Sequence, residues 1–219
     1  MKAMILAAGR GERLRPLTDD LPKALLPVAN TTLIAHVLQQ LRDAGIRDVV
    51  VNVCHLSQKI MDYCGNGSSF DVRIQYSVEK TLLNTGGGIL KALPLLGEDP
   101  FLVMSADIWT DFPLHTLTQR KTRGAHLVLV DNPSFHPTGD FNLQSNRVME
   151  TSRDQRFTYA NIAVLHPSLF QAEKNTVFPL LTIFQKAIAE GIATGEHYRG
   201  MWHNIGTHQE LRQLNGLLA

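Results

Sequence analysis

A short apolar run, Met4-Ile5-Leu6-Ala7-Ala8, gives way to Gly9-Arg10-Gly11-Glu12-Arg13-Leu14-Arg15, and Pro22-Lys23 follows soon after. Gly9 and Gly11 let backbone N–H groups approach phosphate oxygens with no Cβ in the way, and Arg13, Arg15 and Lys23 supply positive charge near the same place. Such equipment suits a polyphosphate and the negative charge that develops when one of its bonds is exchanged. Two familiar glycine loops are excluded by chemistry. A dinucleotide fingerprint needs a third glycine and an acidic residue closing the second strand, whereas this chain continues Gly11-Glu12-Arg13-Leu14 and its next strand ends Asn52-Val53-Cys54-His55. A P-loop needs Gly-Lys followed by Ser or Thr, whereas Lys23 lies between Pro22 and Ala24.

The elements that must position these residues are legible in the hydrophobic pattern. Lys2–Ala8, Val49–Val53, Arg73–Ser77, Phe101–Ser105 and Ala125–Val130 read as strands, the first ending in the glycine loop and the one from Phe101 leading to Asp107. Leu33, Ile34, Val37, Leu38 and Leu41 recur at helical spacing before Gly45, and helices are also expected over His55–Cys64 and Gly88–Leu96. Strand and helix alternate, which predicts a mostly parallel sheet. Beyond residue 130 the pattern changes to short strands, Asp140–Leu143, Arg147–Glu150 and Thr158–Val164. A helix over Pro179–Glu190 follows, with Leu180, Leu181, Phe184 and Ile188 on one side. A last helix is opened by Thr207 and Glu210, with Leu211, Leu214, Leu217 and Leu218 inside. The expected fold is α/β: a doubly wound, mostly parallel Rossmann-like sheet carrying a small antiparallel lid, with ligands at the carboxyl ends of the parallel strands. We read residues 1–219 as one domain, with a core over about 1–130, a lid over about 131–200 and a closing strand and helix over 201–219.

The chain has 219 residues, 44% of them hydrophobic, with a formal net charge of +1. That balance provides no basic field for nucleic acid. No segment reaches the roughly 20 apolar residues of a membrane span. No linker or repeat divides the chain, and Cys54 and Cys64 read as reduced thiols. These features together lead us to expect a cytoplasmic protein working on small molecules, with no nucleic acid, membrane or protein partner implied.

The run L-A-A-G-x-G-x-R-L-x-P-L-T followed by P-K resembles the signature of the sugar-1-phosphate nucleotidyltransferases. The resemblance implies attack of a sugar 1-phosphate oxygen on the α-phosphorus of a nucleoside triphosphate, with release of pyrophosphate. The attacking phosphate is already anionic, so alignment and charge neutralisation are the main requirements. By position, Arg13 and Lys23 become the catalytic cations, and Leu6, Ala8, Gly9, Gly11, Glu12, Arg13, Lys23, Asn84 and Gly88 the nucleotide contacts. The glycines of Leu83-Asn84-Thr85-Gly86-Gly87-Gly88 offer bare backbone at a helix start, where a nucleoside could lie. Asp107, a carboxylate ending a buried strand, reads as a ligand of Mg²⁺, which takes one or two carboxylates plus substrate phosphates. The family's second metal carboxylate stands in W-x-D-[IV]-G-T. This chain has Trp202-His203-Asn204-Ile205-Gly206-Thr207, so Asn204 would offer an amide oxygen without charge.

Further segments, Leu93-Pro-Leu-Leu-Gly97, Trp109-Thr-Asp111, Ala125 to Pro133, Gly139-Asp-Phe141, Val164-Leu-His-Pro167 and Gly195 to Gly200, resemble the N-acetylmuramate-1-phosphate uridylyltransferases of peptidoglycan recycling. That branch implies UTP and N-acetylmuramate 1-phosphate as substrates, and Ser105, Asp140 and Glu150 on the sugar side. Where the branch has Glu and Asn-Gly-Asp, this chain has Asn84 and Ser105-Ala106-Asp107. Two alternatives stay open: a uridylyl- or guanylyltransferase for another hexose or heptose 1-phosphate, and an impaired nucleotide-sugar binding protein. A lactyl carboxylate on the sugar would require a lid cation, which the sequence does not single out.

Overall fold

The computed structural model describes residues 1–150 and 155–218. β1 (Ala3–Leu6) runs into the glycine loop, and α1 (Leu17–Asp20), β2 (Pro27–Val28) and β3 (Thr31–Thr32) lead to α2 (Leu33–Asp43). The Thr32 side chain caps α2 by accepting from Ala35 N at 3.3 Å, and Gly45, at φ 82°, turns the chain out of it. There follow β4 (Asp48–Val53), α3 (Ser57–Cys64), β5 (Arg73–Val78), α4 (Asn84–Leu96), β6 (Phe101–Ser105), β7 (Ile108–Thr110) and β8 (Ala125–Val130). The last third contains β9 (Phe141–Gln144), β10 (Arg147–Met149), β11 (Arg156–Leu165), α5 (Leu181–Ala189), β12 (Ala193–Tyr198), β13 (Trp202–Asn204) and α6 (His208–Leu218).

Among the described residues one nine-stranded sheet runs in the order β5-β4-β1-β6-β11-β8-β12-β10-β9. β5, β4, β1 and β6 are mutually parallel, and β12 is parallel to β8. β11 lies antiparallel between β6 and β8. The continuous apolar character of the central strands follows from burial on both faces. Along β1, Ala3 and Ile5 face α2 and α3, packing with Val37, Leu38, Leu41 and Ile60. Met4 faces the opposite layer with Ile89 and Ala92 of α4 and Ile183 and Phe184 of α5. A third cluster joins Leu211 and Leu214 of α6 to Leu14, Leu26 and Ile205. No helix among the described residues is long and apolar enough to cross a membrane.

Three expectations change. The β9–β10 hairpin is the far edge of the main sheet, because β10 pairs with β12 and β9 also pairs with the start of β11. α4 begins at Asn84 rather than Gly88. Leu217 and Leu181 point outward, 61% and 44% exposed. α6 packs on one cluster through Leu211 and Leu214, of which Leu217 is not a member; Leu181 lines a cavity.

Candidate active site

A cleft of about 680 Å³ opens at the carboxyl ends of β1, β4 and β6. Leu6, Ala8, Gly9, Gly11, Glu12, Arg13, Lys23, Asn84, Ser105 and Asp107 all line it. Gly11 sits at φ 66°, and a Cβ there would come within 3.0 Å of both Lys23 Cβ and Thr18 Cγ2. Thr18 Oγ1 donates to Gly11 O at 2.9 Å, which locks the turn. The glycine therefore sets the turn and the closeness of Lys23 together. Pro22 precedes the short turn Lys23–Leu25 that aims the lysine, and Lys23 Nζ is paired with Asp107 Oδ2. Arg13 is exposed to the cleft and makes no hydrogen bond or ion pair among the described residues. Its guanidinium lies over Gly206, where a Cβ would stand 2.6 Å from one terminal nitrogen. Arg15 is paired with Asp19 at 3.2 Å and does not line the cleft.

A buried polar relay supports the loop from below. Asn52 Oδ1 accepts from Ala7 N at 2.9 Å and its Nδ2 donates to Glu79 Oε1 at 2.7 Å. Glu79, 3% exposed, also accepts from Leu83 N at 3.1 Å, so three strand ends and the entry to α4 are tied together. Gly88 lies against this relay: its Cβ would meet Asn52 Nδ2 and Glu79 Oε1, each at 2.7 Å. Gly88, expected among the nucleotide contacts, is buried and does not line the cleft. The other two glycines are likewise taken up by packing. Gly86 and Gly87 N–H groups donate to Phe178 O at 3.0 and 3.1 Å, and added Cβ atoms would strike the Phe178 ring and Thr176 O. Asn84 does reach the cleft. Its φ of 63° is one that asparagine adopts more readily than the glutamate of the similar branch, and its Oδ1 accepts from Thr85 N at 2.8 Å.

A second cavity, of about 430 Å³, adjoins the first and shares Leu6 and Thr85 with it. Its walls include Phe141, Tyr159, Phe184 and Trp202, and its polar groups His136, Asp140, Asn161 and Asn204. Asp140 is held by His136 Nε2 at 3.0 Å and Tyr159 N at 2.8 Å. Ser105 lines the first cleft rather than this cavity. Glu150 lines neither: it is exposed and accepts from Gln185 Nε2 at 3.0 Å, because the hairpin carrying it is the outer edge of the sheet.

Asn204, registered opposite Ile108 across the β7–β13 pair, lies next to Asp107, whose carbonyl accepts from Ile205 N at 2.9 Å. Asn204 Oδ1 is buried with no hydrogen-bond partner among the described residues. A buried amide oxygen is costly without a donor or a cation, and both it and the Asp107 carboxylate are oxygen donors of the kind a hard divalent ion would take. Among the described residues no group of three or more His, Cys, Asp or Glu is placed to hold a metal. His203 packs against Trp109 with the rings tilted at 54° and centroids 5.9 Å apart, and is held below the usual histidine range by burial.

Residues 2–138 match the family described as nucleotidyl transferase. The chain belongs to that family. A relative from Neisseria meningitidis serogroup B, an N-acetylmuramate alpha-1-phosphate uridylyltransferase, is 39% identical over 99% of this chain and 98% of its own. A Caulobacter vibrioides protein of the same name is 32% identical over 94% and 92%. A solved structure from Bacillus anthracis superposes with a TM-score of 0.87 over 100% of this chain and 95% of its own at 24% identity, a likeness of fold.

Some residues in and beneath the two cavities were not marked by the sequence. Asn161 enters the second cavity from a break in register between Tyr159 and Ala163 of β11, at φ 57°. The same break frees Ala160 O to accept from Trp202 Nε1 at 2.9 Å. An asparagine followed by the apolar run Ile162-Ala163-Val164-Leu165 was the available signal. Glu79, just past the end of β5, carried none, because its partners lie in other segments.

Proposed function

We propose that the chain transfers a uridylyl group from UTP to N-acetylmuramate 1-phosphate, giving UDP-N-acetylmuramate and pyrophosphate, as a step of cell-wall recycling in the cytoplasm. The observation that carries this reading is the adjoining pair of cavities: one lined by a glycine loop with Arg13 and Lys23, the other by aromatic walls with a few polar groups, as a sugar requires. The near full-length similarity to two proteins named for this reaction supports the choice of base and sugar.

In this reading the triphosphate lies along Gly9–Arg13, and the sugar phosphate enters from the second cavity past Leu6 and Thr85. Arg13 grips phosphate oxygens with a guanidinium fork, and Lys23 places a point charge between the two anions. The monoester needs no protein base, so these cations act by aligning mutually repelling groups in line and by offsetting the charge of the transition state. Asp107 and Asn204 would hold Mg²⁺, which supplies Lewis-acid neutralisation at the reacting phosphate. Asp140 and Asn161 orient the sugar.

The test is pyrophosphate release with Mg²⁺, UTP and N-acetylmuramate 1-phosphate, with GTP, dTTP, glucose 1-phosphate and mannose 1-phosphate as parallel arms. Turnover confined to the first pair is expected. Preferred use of another sugar or base overturns the assignment within the family, and binding of UTP without turnover by any pair overturns the activity.

A further inference from the structure

The second cavity has one side chain able to carry positive charge among the described residues that line it, His136. Its surroundings fix it unusually well for a residue in a long connection. Asn132 Nδ2 donates to Pro137 O at 3.2 Å and Arg156 O at 3.0 Å, while its Oδ1 accepts from Thr158 Oγ1 at 2.9 Å. Gly139, at φ 61°, lets the loop close on Asn132, where a Cβ would stand 2.6 Å from Oδ1. His136 Nε2 is committed to Asp140 Oδ1 at 3.0 Å, and Asp140 Oδ2 is anchored by Tyr159 N. The imidazole is thus oriented from behind, and its Nδ1 has no partner among the described residues.

Building on the function proposed above, we infer that His136 is the specificity-determining residue for the sugar's 3-O-lactyl carboxylate, receiving it on Nδ1 as an imidazolium whose Nε2–H stays on Asp140. An anion entering the cavity would otherwise face the Asp140 carboxylate with no other cation among the described lining residues, the neighbouring Arg156 guanidinium donating to the Asp140 carbonyl, and an unpaired carboxylate in a half-buried site is costly. Placing an imidazolium between two carboxylates satisfies both. The other ionisable group lining the cavity is the Tyr159 phenol, kept protonated by burial and by the Asp140 charge. A sugar lacking the lactyl group loses this contact and leaves the remaining ones intact. His136 therefore separates N-acetylmuramate from N-acetylglucosamine derivatives.

The experiment is calorimetric binding of N-acetylmuramate 1-phosphate and N-acetylglucosamine 1-phosphate to the protein saturated with α,β-methylene-UTP and Mg²⁺, for wild type, His136→Gln and His136→Arg. Gln keeps a donor toward Asp140 without charge; Arg restores charge. His136→Gln is expected to weaken the N-acetylmuramate ligand about 10- to 100-fold and the N-acetylglucosamine ligand by less than about threefold, with His136→Arg recovering much of the difference. Equal weakening of both ligands means a structural role and overturns the inference, as does no weakening of either. A wild-type protein that shows no preference for N-acetylmuramate 1-phosphate overturns instead the functional reading on which the inference rests.

Discussion

Lys23 Nζ rests on Asp107 Oδ2 with the two side chains only 15% and 26% exposed, so the residue proposed to hold phosphate and the residue proposed to hold metal hold each other. The pair keeps both groups placed, at low net charge, until a polyanion and a divalent ion arrive together. Lys23→Ala removes the phosphate contact and leaves Asp107 unpaired. Turnover in the pyrophosphate-release assay is expected to fall about 100- to 1,000-fold. A rate within threefold of wild type would take Lys23 out of the machinery.

Gly206 gives a less direct way to disable Arg13. A methyl group at Gly206 would stand 2.6 Å from a guanidinium nitrogen, so Gly206→Ala pushes Arg13 aside without removing it. Arg13→Ala is expected to lower kcat/KM for UTP by about 100-fold or more, and Gly206→Ala to lower it in the same direction. The double variant should be little worse than Arg13→Ala alone, because one contact cannot be lost twice. Additive losses in steady-state kinetics would show that Gly206 acts elsewhere.

Asn204→Asp supplies the carboxylate that the family signature carries. With the amide oxygen now buried and unpartnered, added charge should tighten metal binding, lowering the Mg²⁺ concentration for half-maximal turnover by roughly tenfold. A Mg²⁺ titration superimposable on wild type places Asn204 away from the metal.

The glycine run at the start of α4 belongs to stability. Gly86→Ala drives a methyl to 2.4 Å from the Phe178 ring, and Gly87→Ala to 2.2 Å from Thr176 O. Each is expected to cost about 1–3 kcal/mol, lowering the melting temperature by roughly 3–10 °C. A normal Tm with a selective rise in KM for UTP would return these glycines to the nucleotide site.

This contrast shows what the amino-acid order made legible. The phosphate loop and the parallel half of the sheet were readable because both are local: a glycine turn with cations at fixed spacing, and apolar runs buried on two faces. Ala125–Val130 and Phe101–Ser105 form strands with the bounds read from their pattern alone. The packing around the glycines from 86 to 88 was not legible, because their neighbours, Phe178, Thr176, Asn52 and Glu79, are distant in sequence. The second cavity was hidden for the same reason, since His136, Asn161 and Asn204 come from a loop, a broken strand and a closing strand. Glu150 sat on a predicted lid that is instead the sheet's edge.

A pH effect on stability is expected far from the cleft. Buried His126 bridges Thr194 Oγ1 and Glu196 Oε1, each at 2.9 Å, with Arg120 3.4 Å from the same carboxylate oxygen. The hydrogen bond from His126 holds the Glu196 carboxyl below its ordinary value, with the Arg120 charge adding to it. The folded state therefore binds fewer protons there than the unfolded chain does. The resulting stabilisation is complete above about 4.5, the unperturbed glutamate value, and is lost as pH falls through the lower folded value. In urea unfolding at a series of acidic pH values, Glu196→Gln should show a shallower loss of stability than wild type; equal slopes would mean that the carboxylate contributes nothing.

The two cavities share only Leu6 and Thr85 among the described residues. One guest is enclosed largely by the first half of the chain and the other largely by the second. Changes that retune one side need not disturb the other, so preference for the nucleobase and preference for the sugar can drift independently over evolutionary time. On the proposed reading, a lineage built on this plan can acquire a new sugar by rewriting the loop around His136 and the break at Asn161, while the phosphate grip is inherited unchanged.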